Sequence, residues 1–542
     1  MKLFFRICPA LIIGLGLLTT ARGQAPAPVV EGLPQSAPTD WHLLDPSVGP
    51  YQGISLERAY EEVLKGKTPE EIVVAVIDGG IDIEHEDLDG VIWTNPGEIP
   101  DNNQDDDGNG YVDDIHGWNF IGGPDGSHVD GETLELTREY VKLKPKFENA
   151  KPDELSKKEL AAYTYFKELE EEYEAKQSEA EMGFNNMLQY FFIFAKGKQM
   201  AEEELGEKPF TAENVQALEP ANDTLKEIKP FLVSLLEQGA TVERLQSDME
   251  YFQDKMEYHY NVESNFREIV QDNPDDPNER YYGNNDVEGP DADHGTHVAG
   301  IIAAERGNEV GMDGVANSVK IMALRAVPNG DERDKDIANA IRYAVDNGAK
   351  IINMSFGKDY SPNKSVVDAA VKYAQKKKVL LIHAAGNEGA DIDYSDNFPT
   401  KSLKKAHSGK YAKNWIEVGA NSWGRGGRFV ASFSNYGDNT VDVFAPGVDI
   451  YSTIPDSKYD NFDGTSMASP VVAGVAAVIW SYFPELKYKQ VKKIILESAI
   501  RYPGKQVKTP GGGDKVDFDE LSITGGIVNL YEAVKMADEM TK

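Results

Sequence analysis

Cysteine is almost absent from this sequence, since Cys8 is the only one among 542 residues. A disulfide needs two thiols, so no intramolecular disulfide can stabilise the fold. Cys8 also lies ahead of a short apolar run, outside the small-residue context of a lipid-attachment site. The sequence after this run contains no cysteine.

Positive charge is scarce as well. Lys and Arg number 55 against 91 Asp and Glu, which leaves a formal net charge of -36. A field of this sign repels nucleic acid and anionic lipid, so we expect no nucleic-acid partner. The acidity favours solubility and cation binding, although a solvated surface explains any single carboxylate without a partner.

Apolar runs long enough to span a membrane are missing. Near the N-terminus, Leu11–Leu18 follows Lys2 and Arg6 and precedes the small residues of Ala21–Gly23. A membrane span needs roughly 20 apolar residues, so this pattern predicts a signal peptide at 1–23 rather than an anchor. We find no later segment apolar enough to span. We expect an exported protein, extracellular or periplasmic, with no stable membrane insertion.

Short apolar runs alternate with helical stretches along much of the chain, which is typical of a parallel sheet covered by helices on both faces. The runs predicted as buried strands are Glu71–Asp78, Val319–Leu324, Ala349–Met354, Val379–Ala384 and Trp415–Ala420. Helices are predicted at Asp336–Asn347 and Ser365–Lys377. The fold class is therefore α/β.

The segment 131–284 has a different character, with charged stretches and apolar residues at helical spacing. Three such stripes contain, among others, Phe166 and Leu169, Phe191 and Phe194, and Leu232 and Leu235. Such stripes are usually packing faces, so we predict an inserted all-α subdomain.

Two acid and base candidates stand at the edges of apolar segments. Asp78 ends the first predicted strand, where functional groups lie in open α/β sheets, although a capping aspartate would look the same. His294 opens an apolar stretch patterned with Gly295 and Gly300, which would allow close packing. A lone histidine is usually structural, but this one could meet a nucleophile and an acid.

Two further segments supply a serine and an asparagine. Ser466 lies in a turn ahead of a buried helix with Pro470 in its first turn, so it is either a helix N-cap or a nucleophile. Asn387 follows an apolar strand between Gly386 and Gly389. Its amide could donate to an oxyanion, or the residue could simply form a turn.

Together these segments resemble the subtilisin-like serine peptidases, in which the catalytic residues follow the order Asp, His, Ser, as Asp78, His294 and Ser466 do. The segment Gly526–Val534 also resembles the closing helix of that family's catalytic domain. The resemblance implies a subtilisin-like parallel central sheet flanked by helices. It assigns 41–130 and 285–542 to the peptidase domain.

The resemblance implies acyl transfer through an acyl-enzyme intermediate. Ser466 would be the nucleophile, His294 the general base and acid, Asp78 the group that orients the imidazole, and Asn387 an oxyanion donor. It also implies two edge segments that pair with extended substrate and flank the pocket before the scissile bond. These are Ser355, Phe356 and Gly357, and Ala384, Ala385 and Gly386.

The sequence departs from the family pattern in three ways. Asp78 is followed by Gly79 instead of Thr or Ser, which removes a hydroxyl from the active-site network. His294 follows Asp78 by 294 - 78 = 216 positions, so the insertion lies between two catalytic residues, and we expect it near the cleft. The flexible lead-in, 24–40, and the short stretch before the first strand leave little room for a folded propeptide.

An acidic loop predicts a structural calcium ion. Oxygen ligands at positions 1, 3, 5, 7 and 9 would come from Asp105, Asp107, Asn109, the Tyr111 carbonyl and Asp113, as in the first part of a calcium-binding loop. His116 stands where that loop has its bidentate Glu, so another segment, such as Asp101 or Asp114, must complete the shell. A solvated acidic turn is the alternative.

The sequence thus predicts a secreted, calcium-stabilised serine endopeptidase acting on peptides or proteins. A non-catalytic binding protein on a subtilisin-like fold is the main alternative, since fold does not guarantee chemistry. An acidic calcium-dependent adhesion or assembly protein would explain the loop and the charge but not the serine and histidine segments.

Overall fold

A computed structural model describes residues 36–404, 409–424 and 429–542. The predicted signal peptide, 1–23, and most of the lead-in, 24–40, lie outside these residues. The chain divides into two compact units, one containing Glu181–Gln253 and the other containing Ala37–Ala180 and Asp254–Lys542. The larger unit carries the sheet and every site residue predicted from the sequence.

The larger unit contains thirteen strands in its described residues. They are β1 (Ile72–Asp78), β2 (Gly117–Asn119), β3 (Val319–Arg325), β4 (Ile351–Met354), β5 (Leu380–Ala384), β6 (Trp415–Asn421), β7 (Val443–Pro446), β8 (Ile450–Ile454), β9 (Lys458–Phe462), β10 (Ile500–Arg501), β11 (Gln506–Lys508), β12 (Lys515–Asp517) and β13 (Gly526–Ile527). Each of the five apolar runs predicted as a strand contains one of these strands.

Nine of these strands form one sheet in the order β10-β13-β7-β6-β5-β4-β1-β3-β2. Only β10 runs antiparallel to its neighbour; the other pairs are parallel, as predicted. Two small antiparallel pairs, β8 with β9 and β11 with β12, stand outside it. The α/β prediction is confirmed.

The described chain contains twelve α-helices. They are α1 (Leu56–Arg58), α2 (Glu135–Phe147), α3 (Lys157–Leu205), α4 (Ala212–Ala217), α5 (Asp223–Glu237), α6 (Val242–Asp254), α7 (Asp293–Ala303), α8 (Asp334–Asp346), α9 (Lys364–Lys377), α10 (Thr465–Tyr482), α11 (Tyr488–Glu497) and α12 (Leu530–Thr541). A π-helical turn, Ala59–Leu64, continues α1. Both helices predicted between strands, α8 and α9, are present.

Helices cover both faces of the central sheet. One core joins strand side chains such as Val74 and Ile382 to the buried residues of α7, α10, α11 and α12. The other joins Ala75 and Leu381 to the buried faces of α8 and α9. Alternate residues of one strand therefore face opposite cores, which explains why these strands are apolar on both sides.

The segment 131–284 is helical, with α2 to α6 inside it. Its first and last parts belong to the larger unit, where α2 and the start of α3 share a core containing Tyr140, Phe166 and Tyr173. Residues 181–253 form the smaller unit around a separate core containing Phe194, Leu225 and Leu232. The aromatic and leucine stripes are therefore packing faces.

One sequence-based statement about membranes needs correction. Among the described residues, α10 is long and apolar enough to span a bilayer by length and composition, although we found no such segment after the N-terminal run. However, 89% of its residues are buried inside the protein. It is the central helix of the fold, and small residues such as Gly474 allow close packing, since a Cβ there would lie 2.5 Å from the Cβ of Val315.

Candidate active site

Asp78 and His294 form a hydrogen-bonded pair although 216 positions separate them. Asp78 ends β1 and is 3% exposed, while His294 stands in the first turn of α7 with its side chain 41% exposed. Their Oδ1 and Nδ1 atoms are 2.7 Å apart. Gly295 permits this approach, because a Cβ there would lie 2.1 Å from the carbonyl oxygen of Gly80.

Opposing effects set the pKa of His294. Burial lowers it by penalising the imidazolium, while the charge and hydrogen bond of Asp78, and more weakly the charge of Asp291, raise it. The raising effects are larger, so the pKa lies above its ordinary value of 6.5. The imidazole can therefore accept a proton and remain stabilised by the carboxylate behind it.

The second oxygen of Asp78 has no hydrogen-bond partner among the residues that the structure describes. Oδ1 accepts from the Gly79 N–H at 2.8 Å as well as from His294, whereas Oδ2 is buried without a hydrogen bond. The glycine noted in the sequence thus coincides with an unsatisfied carboxylate oxygen.

Ser466 is the second residue of α10, at the end of a loop that reaches the same edge of the sheet. Its hydroxyl donates to the carbonyl oxygen of Ser355 at 3.1 Å. No hydrogen bond joins Ser466 to His294 among the described residues. Catalytic hydrogen bonds are often long or misaligned before substrate binds, so this geometry is compatible with a nucleophile. The N–H groups of a first helical turn also lack intrahelical acceptors and favour negative charge.

The side-chain amide of Asn387 has a fixed orientation. Its Oδ1 accepts from the backbone N–H of Thr465 at 2.9 Å and from the Thr465 hydroxyl at 3.0 Å. The same hydroxyl accepts from the Gly386 N–H at 3.1 Å. Because the oxygen is held in this way, the Nδ2 hydrogens of this exposed residue are directed away from Thr465 and remain able to donate.

The two predicted edge segments extend from neighbouring strands. Ser355, Phe356 and Gly357 follow β4, and Gly357 is exposed with no backbone hydrogen bond among the described residues. Ala384 ends β5, and Ala385 and Gly386 follow it. The carbonyl oxygen of Ala385 accepts from Asn397 Nδ2 at 2.9 Å.

Asn397 lies between the two edge segments. Besides its bond to Ala385, its Oδ1 is only 2.2 Å from the position that a Cβ on Gly357 would take. Its Nδ2 is 3.2 Å from the corresponding position on Gly386. Gly357 is therefore needed for this side chain to fit, whereas the severe contacts of a Cβ at Gly386 would be with Asn435 and Glu388. The sequence analysis missed Asn397.

The acidic loop brings three carboxylates together. One oxygen each of Glu98, Asp105 and Asp107 lies within 4.8 Å of the others. Glu98 is 8% exposed, and its Oε1 accepts from the backbone N–H of Asp106 at 3.0 Å and of Asp107 at 3.1 Å. Its Oε2 is buried with no hydrogen-bond partner in the described part of the chain. A buried, unpaired carboxylate oxygen beside two other carboxylates fits a hard cation such as calcium.

The remaining predicted ligands make other contacts within the loop. The Asn109 amide donates to Asp107 at 3.1 Å and to Asp114 at 2.9 Å. Asp113 accepts from the backbone N–H groups of Asn102 and Asn103. The Tyr111 N–H donates to Asn109 Oδ1 at 2.8 Å, and its ring packs 5.0 Å from that of Trp118. Glu98 was missed because it stands outside the loop pattern.

The likeness to known proteins agrees with this geometry. Over 190 residues the chain is 46% identical to "Thermophilic serine proteinase" of Bacillus sp. (strain AK1), covering 35% of this chain and 42% of that protein. It is 41% identical to "Thermitase" of Thermoactinomyces vulgaris, covering 35% of this chain and 61% of the relative. It is 37% identical to "Subtilisin Savinase" of Lederbergia lenta, covering 38% of this chain and 70% of the relative.

The chain thus spans less than two thirds of the length of the first two relatives. The sequence model of the subtilase family matches residues 70–520, which contain the Asp78, His294 and Ser466 segments and the insertion. That match covers well over half of the sequence. The chain belongs to the subtilase family.

Proposed function

We propose that this protein is a serine endopeptidase that hydrolyses peptide bonds in peptides or proteins. The observation that carries the proposal is the 2.7 Å hydrogen bond between His294 Nδ1 and the buried carboxylate of Asp78. A binding protein has no need for an exposed imidazole backed by a buried carboxylate, beside a serine at a helix N-terminus. The alternative of a non-catalytic binding protein on this fold therefore explains less.

In the proposed mechanism, Ser466 Oγ attacks the carbonyl carbon of the scissile bond while His294 Nε2 takes the hydroxyl proton. Asp78 keeps the remaining proton on Nδ1 and stabilises the imidazolium. The amine then leaves with the proton from Nε2, and an acyl group remains on Ser466. Water, deprotonated by His294, attacks the ester and restores the serine.

The oxyanion of each tetrahedral intermediate would accept hydrogen bonds from Asn387 Nδ2 and from the backbone N–H of Ser466. The contacts of Thr465 support this role, because they fix which end of the Asn387 amide faces outward. Preorganised donors of this kind cost no reorganisation during the reaction.

Extended substrate would pair with the edge segments Ser355–Gly357 and Ala384–Gly386. These segments would flank the pocket for the substrate residue that precedes the scissile bond. The unpaired backbone of Gly357 supports this placement, since an edge without partners can take up an added strand. Asn397 lies between the segments and would contact the substrate side chain that enters there.

We propose that the protein is exported, with its signal peptide at 1–23, and that 131–284 is an insertion into a peptidase domain of 41–130 and 285–542. The N-terminal sequence of protein recovered outside the cytoplasm tests the first point. A start near Gln24 is expected, and a chain that retains Met1 would contradict it.

Calcium would be held by Glu98, Asp105 and Asp107, and its two charges would balance carboxylates that otherwise repel one another. Asn109, Tyr111 and Asp113 stay predicted ligands. Titration calorimetry with calcium tests the site: Glu98→Gln should abolish or strongly weaken binding. The exposed Glu70→Gln should bind as the parent does, and equal binding by all three proteins would reject Glu98 as a ligand.

Hydrolysis of an internally quenched peptide by purified protein tests the proposed activity. The parent should cleave within the peptide, and Ser466→Ala should lose about 10⁴-fold or more of the rate. Ser178→Ala, a change at an exposed serine in α3, is the matched control and should cleave at the parental rate. Equal cleavage by Ser466→Ala would show that another group or a contaminant does the chemistry.

A further inference from the structure

A buried lysine follows directly after the first edge segment. Lys358 succeeds Gly357, and its side chain is only 2% exposed. Its Nζ donates to Glu135 Oε2 at 3.1 Å and to the Glu332 carbonyl oxygen at 2.6 Å, and it lies 3.1 Å from Asp334 Oδ1. A lysine beside a solvent-exposed edge would ordinarily extend into water, so its burial here needs a structural reason.

The backbone of Lys358 is fixed as well. Its N–H donates to the Phe398 carbonyl oxygen at 3.0 Å, and the Phe398 N–H returns a bond to the Lys358 carbonyl oxygen at 2.8 Å. Phe398 follows Asn397, the residue that lies between the two edge segments. The position of Lys358 is therefore coupled to both sides of the proposed substrate site.

One partner of Lys358 comes from the insertion. Glu135 is the first residue of α2, is 7% exposed, and lies 223 positions away in sequence. Its Oε2 also accepts from Arg138 at 2.7 Å, and its N–H donates to Asp331 Oδ2 at 2.7 Å. The carboxylate is thus held by Arg138 of its own helix, while the backbone of Glu135 is held by the chain leading to α8. The carboxylate therefore presents a fixed oxygen to Lys358.

A second contact joins the insertion to the same loop. The Tyr360 hydroxyl donates to Glu172 Oε2, on α3, at 2.6 Å. Further along, Asp334 accepts from the Ser361 hydroxyl at 2.8 Å and from the Asn363 N–H at 2.7 Å. The loop after the edge segment is therefore held by the insertion at two points and by the start of α8.

The charges of this cluster favour one arrangement. Burial lowers the pKa of Lys358, but the nearby charges of Glu135, Asp334 and Glu332 outweigh it and raise the pKa above its ordinary value. Burial raises the pKa of Glu135, but the charges and hydrogen bonds of Arg138 and Lys358 outweigh it and lower the pKa below its ordinary value. Both groups stay ionised, and separating a buried ion pair is costly, so the loop has little freedom to move.

We propose that Lys358 is a positioning residue through which the helical insertion, by way of Glu135, fixes the substrate-binding edge Ser355–Gly357. The inference rests on the proposed endopeptidase function, because the role of that edge comes from it. In this account the base of the insertion is a structural part of the substrate site. Extended peptide, which needs the edge, depends on the pair. Reaction of Ser466 with a small reagent does not, because Ser355, the residue of the edge that contacts Ser466, is also held by hydrogen bonds to Asn353 and Ser469.

Two rates measured on the full-length protein test this. One is kcat/KM for a tetrapeptide p-nitroanilide, which is long enough to lie along the edge; the other is the rate constant of labelling by a small alkyl fluorophosphonate. Glu135→Gln keeps the shape of the side chain and removes its charge. The matched control is Glu148→Gln, which neutralises an exposed glutamate just after α2 with a side chain 52% exposed.

For Glu135→Gln we expect kcat/KM to fall by at least about 10-fold, mainly through KM, since small displacements of positioning groups have effects of this size or larger. The labelling rate should stay within about twofold of the parent, and Glu148→Gln should change neither rate. Equal losses in both rates, or no loss in either, would overturn the inference. If the parent itself failed to label, the proposed function would fail instead.

Amide hydrogen exchange tests the pair of Lys358 and Glu135 without relying on catalysis. It therefore tests the inference even if the parent does not label. Exchange at Lys358 and Phe398, whose N–H groups each donate to the other's carbonyl oxygen, should quicken at least about 10-fold in Glu135→Gln and stay parental in Glu148→Gln. If Glu135→Gln does not fold, Tyr360→Phe removes only the hydroxyl bond to Glu172. It should quicken exchange at Lys358 and at Asn363, whose N–H groups donate to Phe398 and Asp334. Parental exchange in the folded variants would overturn the inference, whatever the activity.

Discussion

Replacing Thr465 by Val removes one hydroxyl and nearly conserves shape. The hydroxyl has two bonds, one donated to Asn387 Oδ1 at 3.0 Å and one accepted from the Gly386 N–H at 3.1 Å. The backbone N–H of Thr465 still reaches Asn387 at 2.9 Å. The amide is therefore held less strictly, and the Gly386 N–H loses its acceptor.

The expected cost follows from these two bonds. Neutral hydrogen bonds contribute about 0.5–1.5 kcal/mol each, so their loss amounts to about 2 kcal/mol, or a factor of about 30 if it falls wholly on the transition state. Removing the donor itself with Asn387→Ala should cost about 10²- to 10³-fold in kcat, a magnitude taken from a subtilisin. Thr465→Val should therefore fall short of Asn387→Ala.

Steady-state kinetics on a peptide substrate, with Thr465→Ser as a control that restores the hydroxyl, measure the effect. The loss should appear in kcat, because the oxyanion exists only in the transition state and intermediate. In the Asn387→Ala background, Thr465→Val should cost much less, since no amide remains to be oriented. Parental kcat for Thr465→Val, or an undiminished cost in the double variant, would refute the reasoning.

Three further outcomes are expected. Because neutral His294 is the base and its pKa is raised mainly by Asp78, kcat/KM should rise with pH through a pKa above 6.5. Asp78→Asn should move this rise to lower pH and reduce kcat about 10⁴-fold. Profiles of kcat/KM against pH measure the shift, and an unmoved rise would contradict the role of the pair. Chelating calcium should lower the midpoint of thermal unfolding measured by calorimetry. If the calcium concentration had been 1,000 times its Kd, the free energy of unfolding should fall by about 4 kcal/mol. A midpoint that does not change with chelator would exclude a stabilising ion. Arg267 is 3% exposed and pairs with Asp336 and Asp272 at 2.7–2.8 Å. Arg267→Met should therefore lower the free energy of unfolding by about 3–5 kcal/mol. A loss under about 1 kcal/mol in chemical denaturation would contradict this.

The sheet was readable from the sequence because its signals are local. β1 is apolar from Ile72 to Ile77, and β5 is apolar except for His383. Each has strand length and is buried throughout or nearly so. The short strands β2, β10 and β13, of two or three residues each, carry no such signal. They pair only because the neighbouring strand is already in place.

The candidate site was partly readable for a related reason. Asp78 and His294 each stand in a distinctive local context, and the fold brings them together. Lys358 has no such context: it looks like a solvated residue after a glycine, and its partners Glu135 and Asp334 come from α2 and α8. Glu98 is similar, since only the packing of its turn beside Asp107 creates a carboxylate cluster.

Active-site labelling followed by peptide mapping tests the central claim most directly. The folded, calcium-supplemented protein is treated with a fluorophosphonate and digested, and the modified residue is located by mass spectrometry. The account predicts one adduct, on Ser466, that disappears in Ser466→Ala and forms much more slowly in Asp78→Asn. No adduct on folded protein, or an adduct on another residue, would contradict it.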